Sequence, residues 1–496
     1  MPSLAASPTL PIHRDADLCA GLDQPPPDPL AIGDGSALAL SGWCFHPHQS
    51  VRQLDLEFAG RRCPTVLHGI QRRDLADRFP DLAASRAQWS GFAAVMPIAR
   101  CLRRRAATLR LIATLDDGRT ATTALTTLSL QPEIGSRSPR LISPSRCGSA
   151  RTAVCMTTYN PDPDLFARQV QSLREQTDPE WICIVCDDGS RPDRWAAIRG
   201  VLGDDPRFAL YRQDANRGFY RNFEQSLALT PPDCEFVALA DQDDRWHPDK
   251  LATLQSHFGP RTSLVYSDAR IVGADGTVLA PTYWTTRRPN RGDLAALLIA
   301  NTVTGAAAMI RRRVLDDVLP FPPPFGAAFH DHWLALASLA TGEIVYVDRP
   351  LYDYVQHRGN VIGHVAPPPL PIWTRAWRWA KFFWPPKFAR NVKVALGNGR
   401  THFFDNQLRL QQLSLALTER FTGRLDGPMA RGLEKALGIP ALTRRACAHP
   451  SGVSATVGME FHLLHARLWA AYMRIKRAAL APRRAAAPLH CCSENR

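Results

Sequence analysis

No uninterrupted apolar run in this 496-residue chain reaches the roughly 18 residues that a membrane-spanning helix needs. A bundle of transmembrane helices is therefore excluded. The start, Met1 to Ile12, has neither the basic opening nor the apolar core of a secretory signal, so the chain is expected in the cytosol. Its 12 cysteines show no disulfide-like spacing, which suits a reducing compartment. Cys183 and Cys186 do form a Cys-x-x-Cys, but inside an apolar run that reads as a strand. Residues three apart on a strand face opposite sides, so buried free thiols are expected there, not a metal pair. No glycine lies in Thr157–Asp164, where a nucleotidyltransferase of similar sheet topology would carry a phosphate loop.

What is present is unevenly distributed. The net charge is +14, yet residues 366–496 hold 21 Lys and Arg against 6 Asp and Glu, which leaves −1 for the first 365. A basic segment of this kind seeks phosphate, in lipid headgroups, nucleic acid or an acidic partner. No recognised nucleic-acid module accompanies it, so nucleic acid is not expected as a partner.

The composition shifts divide the chain. Residues 1–35 are Pro-rich and read as a disordered lead-in. Residues 36–131 read as all-β, with strands at Ala37–Phe45, Gln53–Phe58 and Thr108–Leu115, a hairpin turn at Asp116-Asp117-Gly118 and a helix near Arg73–Phe79. Residues 132–150 read as a linker rich in Ser, Pro, Arg and Gly. Residues 151–365 alternate strands and helices, which predicts right-handed crossovers and a mostly parallel sheet covered by helices. Residues 366–496 read as a basic, largely helical tail.

Within 151–365, four successive predicted strands end in polar residues. Thr152–Thr157 runs into Tyr159 and Asn160. Trp181–Cys186 runs into Asp187-Asp188-Gly189-Ser190, and Phe208–Arg212 leads to Asn216-Arg217-Gly218. Phe236–Ala240 empties into Asp241-Gln242-Asp243-Asp244-Arg245-Trp246. Ligands of open α/β sheets bind beyond the carboxyl ends of the strands, and four such ends in sheet order describe a site. Three carboxylates in four residues repel one another unless a cation sits among them. A divalent ion holding a diphosphate suits such oxygen ligands; a lone Asp-x-Asp would also suit a solvated turn.

In order and spacing these motifs resemble the family-2 inverting glycosyltransferases over roughly Arg151 to Gly363. His330-Asp331-His332-Trp333 and Gln356-His357-x-Gly-Asn360-Val-Ile-Gly363 look most like bacterial rhamnosyltransferases of surface-polysaccharide synthesis. The resemblance implies a GT-A fold, with the small all-β module before it and the basic helical tail behind. It also implies a nucleotide-sugar donor, plausibly dTDP-rhamnose, and Mg²⁺ or Mn²⁺ as cofactor. Thr157, Tyr159, Asn160 and Asp188 fall where the family holds the nucleotide, and Arg217 where a cation meets the diphosphate. Asp241 and Asp243 match the Asp-x-Asp metal motif. Asp331 matches the catalytic base, although a carboxylate opening a helix also suits a cap. His357 falls where some relatives touch metal or phosphate. Gly305-Ala-Ala-Ala-Met-Ile resembles the strand lining the acceptor side. Gly42-Trp43, Arg73-Asp74-Leu75, Phe79-Pro80-Asp81 and Ser90-Gly91-Phe92 resemble a β-sandwich module attached to glycan-handling enzymes.

The run from Trp373 to Arg390 interleaves Trp and Phe with Arg and Lys, the composition of a segment lying at a membrane surface. The expectation is an enzyme at the inner face of the cytoplasmic membrane, acting on a glycan or lipid-linked glycan acceptor. Its alternatives are a UDP-hexose transferase and a catalytically silent glycan- or nucleotide-binding scaffold. Intact Asp241, Asp243 and Asp331 argue against the last.

Overall fold

In the computed structural model of the chain, the described residues are 13–14, 18–79, 84–134, 140–144, 150–284, 289, 292–357, 396–425, 433 and 453–480. The N-terminal part is built from β1 (His13–Arg14), β2 (Cys19–Leu22), β3 (Leu30–Ala31), β4 (Gly35–Phe45), β5 (Val51–Phe58), β6 (Arg61–Pro64) and β7 (Leu67–Ile70). Helices α1 (Arg73–Arg78) and α2 (Ala84–Gln88) follow, then β8 (Gly91–Ala99), β9 (Arg105–Leu115) and β10 (Thr120–Gln131). These strands form two five-stranded sheets, ordered β1-β2-β4-β8-β7 and β3-β10-β9-β5-β6. Strand alternation explains the sandwich: Leu38 and Leu40 from one sheet meet Leu54, Leu56, Leu109 and Leu111 from the other in one apolar core.

The lead-in differs from its sequence reading. Cys19–Leu22 pairs with β4 and Leu30–Ala31 with β10, and Leu22, Leu30 and Ile32 are buried. The prolines at 25–27 and 29 connect two short strands, and apolar residues on either side of them fill the sandwich.

The second part begins with β11 (Arg140–Ser143), which pairs antiparallel with a later strand and turns the expected linker into a sheet edge. Then come β12 (Thr152–Thr158), α3 (Pro163–Arg174), β13 (Trp181–Asp187), α4 (Pro192–Leu202), β14 (Phe208–Arg212), α5 (Phe219–Ala228) and β15 (Phe236–Ala240). Every residue of β12, β13 and β15 is buried, as expected of strands covered on both faces. Cys183 and Cys186 are buried free thiols.

Next are β16 (Arg245–Trp246), α6 (Lys250–Ser256), β17 (Thr262–Gly273), β18 (Val278–Ala280) and α7 (Leu294–Ile299). A 3-10 turn at Gly305–Ala307 leads into β19 (Ala308–Arg311), α8 (Val314–Val318), α9 (His330–Thr341) and β20 (Glu343–Gln356). The ten-stranded sheet runs β11-β14-β13-β12-β15-β19-β17-β20-β16, with β18 on β17. Its β14-β13-β12-β15 portion is parallel. The chain steps outward from β12 to β14, then crosses to β15 on the other side. That reversal opens a crevice at the carboxyl ends of β12 and β15.

Of the basic tail, helix 396–402, α10 (Arg409–Arg420) and α11 (Val453–Leu480) are described. The tail packs back on both parts, and several of its cations point inward. Arg420 donates to Gly35 O at 2.9 Å, Ile32 O at 3.2 Å and Val318 O at 2.6 Å. Gln412 bridges Ala37 O and Pro323 O. Arg477 reaches Val51 O and Arg52 O of the sandwich, and Arg474 reaches Val66 O. The stretch from Trp373 to Arg390 lies outside the described residues.

Candidate active site

Four loops meet at the crevice. Asn160, just past β12, has φ +45°, a conformation Asn adopts more readily than most residues. Its backbone N–H donates to Ser190 Oγ at 2.8 Å, and its Oδ1 accepts from Arg191 N at 2.9 Å. Tyr159 stands exposed, with its N–H donated to Gln242 Oε1 at 2.8 Å. That bond spans the crevice from β12 to the loop after β15. Thr157 is buried at the strand end.

After β13, Asp187 accepts from Ser190 N at 3.0 Å, Ser190 Oγ at 2.5 Å and Thr158 Oγ1 at 3.2 Å. Asp188 accepts from Arg217 N at 2.8 Å and Gly218 N at 2.9 Å. Its two oxygens thus fold the loop after β14 toward the crevice. Gly218 has φ +80°, which favours glycine. Burial pushes the Asp188 carboxyl up, against those two N–H donors.

The loop after β15 is different. Asp241 accepts no hydrogen bond among the described residues, and its carboxyl is pushed up to about 7, first by burial, then by Asp243 and Asp331, with Lys250 opposing. Asp243 Oδ2 lies 2.7 Å from His357 Nε2, and that bond raises the imidazole. Asp244 is buried, accepts from Val355 N at 3.3 Å, and its Oδ2 has no hydrogen-bond partner among the described residues. Trp246 is a buried packing residue.

Asp331 sits in the first turn of α9, whose N-cap position is Phe329. It does not serve as the helix cap. Its Oδ1 accepts from Asn301 Nδ2 at 3.1 Å and its Oδ2 from Gly305 N at 3.3 Å. Asn301 also closes its own turn through Val303 N and O. A Cβ on Gly305 would lie 2.7 Å from His330 Nε2, so only glycine lets the turn approach α9. His330 stacks on Phe223 with centroids 3.7 Å apart. His332 Nδ1 accepts from Arg409 Nη1 at 3.0 Å, so its Nε2–H donates to Leu297 O at 2.9 Å. Burial holds both imidazoles neutral, pushing each down to about 3. The Gly305–Ala307 segment read as strand is a 3-10 turn before β19; the close approach to α9 bends it out of the sheet.

The structure therefore gathers Asp241, Asp243, Asp331 and His357 into one electrostatic cluster at the crevice, beside Tyr159, Asn160 and the loop of Arg217. Among the described residues no group of three or more His, Cys, Asp or Glu side chains is arranged to hold a metal ion alone. The crowded negative charge on Asp241 nevertheless fits a divalent cation held by Asp241 and Asp243, with the remaining ligands from phosphate oxygens, as is usual for Mg²⁺. Asn301, Gly305 and Lys250 were not legible as site residues: each acts through a contact with a distant segment. Residues 358–363 lie outside the described residues. A cleft of about 430 Å³ is lined by Asp244, next to Asp243 in sequence, and by Arg168, Arg245, Arg270 and neighbours.

Residues 153–319 match the family model "Glycosyl transferase family 2". An uncharacterized protein, y4gI, from Sinorhizobium fredii is 26% identical over 130 residues, 25% of this chain and 14% of that protein. The putative colanic acid biosynthesis glycosyl transferase WcaA of Escherichia coli is 27% identical over 107 residues, 21% of this chain and 37% of that protein. The matched part is thus well under half of either curated relative. Among solved structures, a mannosyltransferase from Pyrobaculum calidifontis in complex with GDP-Man and Mn²⁺ aligns at TM-score 0.34 and 18% identity, covering 67% of this chain and 90% of that one. TarS of S. aureus in complex with UDP-GlcNAc aligns at TM-score 0.37 and 13% identity, covering 66% and 92%.

Proposed function

Starting from a chain that carries a family 2 glycosyl transferase domain over residues 153–319, we propose that it transfers a sugar from a nucleotide-sugar donor to a glycan or lipid-linked glycan acceptor, with inversion, in surface polysaccharide synthesis. One observation carries this reading: the carboxylates of Asp241, Asp243 and Asp331 converge where the sheet reverses, and burial, Asp243 and Asp331 push the Asp241 carboxyl up against the opposing influence of Lys250. The likeness to a putative colanic acid glycosyl transferase supports the polysaccharide setting.

The donor's nucleotide would lie along Thr157, Tyr159 and Asn160, with Asp188 shaping the loop that brings Arg217 to the diphosphate. Guanidinium geometry suits phosphate. A divalent ion bound by Asp241 and Asp243, Mg²⁺ or Mn²⁺, would neutralise charge on the departing nucleoside diphosphate. Asp331 would take the proton of the acceptor hydroxyl as its oxygen attacks the anomeric carbon. Asn301 and the Gly305 N–H hold its two oxygens in one orientation while it does so. A single displacement needs only this one base on the acceptor side. His357 would adjust Asp243 or touch the phosphate.

The motifs favour dTDP-rhamnose as donor, with a UDP-hexose the competing expectation. Among the described residues no helix is long and apolar enough to cross a membrane. Peripheral attachment at the inner membrane face is proposed for the Trp373–Arg390 run on its composition alone. The test is nucleotide release from a panel of sugar donors with Mn²⁺, Mg²⁺ or EDTA. Metal-dependent turnover of one donor, lost in Asp243→Ala and Asp331→Ala, supports the mechanism and names the sugar. No turnover and no metal-dependent nucleotide binding would leave the silent scaffold as the better account.

A further inference from the structure

Lys250 opens α6 and is 0% exposed. Its ammonium lies 3.5 Å from the centroid of Trp246 and 4.6 Å from that of Tyr352. It donates to Ala306 O at 2.5 Å. Burial pushes the Lys250 amine well below its ordinary value, with Asp244 and Asp241 opposing. A buried amine is costly unless its donors are used, and here two aromatic faces flank it while the Ala306 carbonyl accepts from it.

The placement of the acceptor carbonyl matters most. Ala306 belongs to the 3-10 turn whose first residue, Gly305, gives its N–H to Asp331. Asn301 grips the same Asp331 from the segment that precedes that turn. Lys250 therefore reaches from beneath the Asp241–Asp244 loop to the far end of the turn that holds the base. Nothing else described joins those two loops by a side-chain hydrogen bond to Ala306.

We propose that Lys250 is a positioning residue: it ties the carboxylate loop after β15 to the Gly305–Ala307 turn, and so fixes Asp331 relative to the departing diphosphate. This rests on the reading of Asp331 as base and of Asp241 and Asp243 as metal ligands. Misplacing a reacting group by about 1 Å can cost on the order of 100-fold in rate, so a tie of this kind is worth building even at a buried site.

The experiment compares wild type, Lys250→Met, Lys250→Arg and the double variant Asp244→Asn/Lys250→Met. Three quantities are read: Mn²⁺ affinity by electron paramagnetic resonance with UDP or dTDP present, kcat for hydrolysis of the donor that wild type accepts, and melting temperature. In Lys250→Met, Mn²⁺ is expected to bind no more weakly than in wild type, because the substitution removes no oxygen ligand. Hydrolysis should fall about tenfold or more. Lys250→Arg, which keeps a charged donor, should recover kcat to within about threefold by the same reasoning.

A wild-type kcat in Lys250→Met overturns the proposal. So does Mn²⁺ affinity falling in step with kcat, which is what loosening of the whole region would give. Should Lys250→Met fail to fold, the double variant decides, since it removes both buried charges. Retained Mn²⁺ binding with kcat still about tenfold down supports the tie; wild-type kcat overturns it. Wild type that neither binds Mn²⁺ nor hydrolyses any donor defeats the underlying transferase reading, whereas an active wild type with unaffected variants defeats the tie alone.

Discussion

Two strand ends flanking β12 carry aspartates, and their surroundings are opposite. After β13, Asp187 and Asp188 are met by backbone N–H groups and hydroxyls of Ser190, Thr158, Arg217 and Gly218. After β15, Asp241 faces other carboxylates, and Asp244 has an oxygen with no hydrogen-bond partner among the described residues. The first pair is met by donors of its own loops, and the second lies among carboxylates, with Lys250 opposing their repulsion. A carboxylate motif in sequence does not separate these cases; the donors around it do.

The largest expected effect breaks the second end without touching the first. Asp243→Asn or Asp331→Asn should lower donor turnover by on the order of 1000-fold while the melting temperature stays near that of wild type. Calorimetry beside a kinetic assay checks both halves. At the other end the balance reverses. Asp188→Ala leaves the Arg217 and Gly218 N–H groups without their acceptor, at about 1–3 kcal/mol, and should lower the melting temperature by several degrees before any kinetic defect is considered.

A smaller effect is expected at the turn that joins α9 to the site. Gly305→Ala places a methyl 2.7 Å from His330 Nε2, and relieving that contact should cost about 1–3 kcal/mol. Chemical denaturation measures it, with loss of turnover following from displacement of the Asp331 partner. Unchanged stability would mean the turn can retreat from α9.

The smallest effect is a pH dependence at the second end. In the folded, metal-free protein Asp241 holds its proton up to about pH 7, whereas in the unfolded chain an aspartate releases it near 4. Between those values the folded state binds more protons, so this group's contribution to stability falls as pH rises through the window. Metal-free protein should therefore melt a few degrees lower at pH 8 than at pH 6, with the difference reduced in Asp241→Asn. Excess Mn²⁺ should reverse it, since binding the folded state stabilises it and protons compete for the same carboxylate.

The succession of strands and helices through β15 and the strand-end aspartates were legible because apolar runs closed by polar residues recur four times at regular spacing; the spatial order of the strands was not. The all-β character of residues 36–131 was legible from short strands and turn signals, whereas the sandwich was implied by a resemblance alone. What sequence hid is what distant contacts decide. Leu22, Leu30 and Ile32 look like isolated apolar residues in a Pro-rich lead-in until β4 and β10 offer them partners. β20 escaped notice because Asp348, Arg349, Pro350 and Asp353 interrupt it. The tail's charge pointed outward to anionic surfaces, yet Arg409, Arg420 and Arg477 are turned inward onto a histidine and backbone carbonyls. Composition counts charges without saying which side of a helix is covered. Lys250 is the same lesson in one residue: nothing local marks it, and only Trp246, Tyr352 and Ala306 together show its place.

The most direct test of the central claim is a crystal of the protein grown with Mn²⁺ and UDP or dTDP, read by anomalous scattering at the manganese edge. The account expects one strong peak between the Asp241 and Asp243 carboxylates and the diphosphate, with Asp331 facing the open side of the crevice. Nucleotide bound with no metal at those aspartates, or metal bound elsewhere, would contradict it.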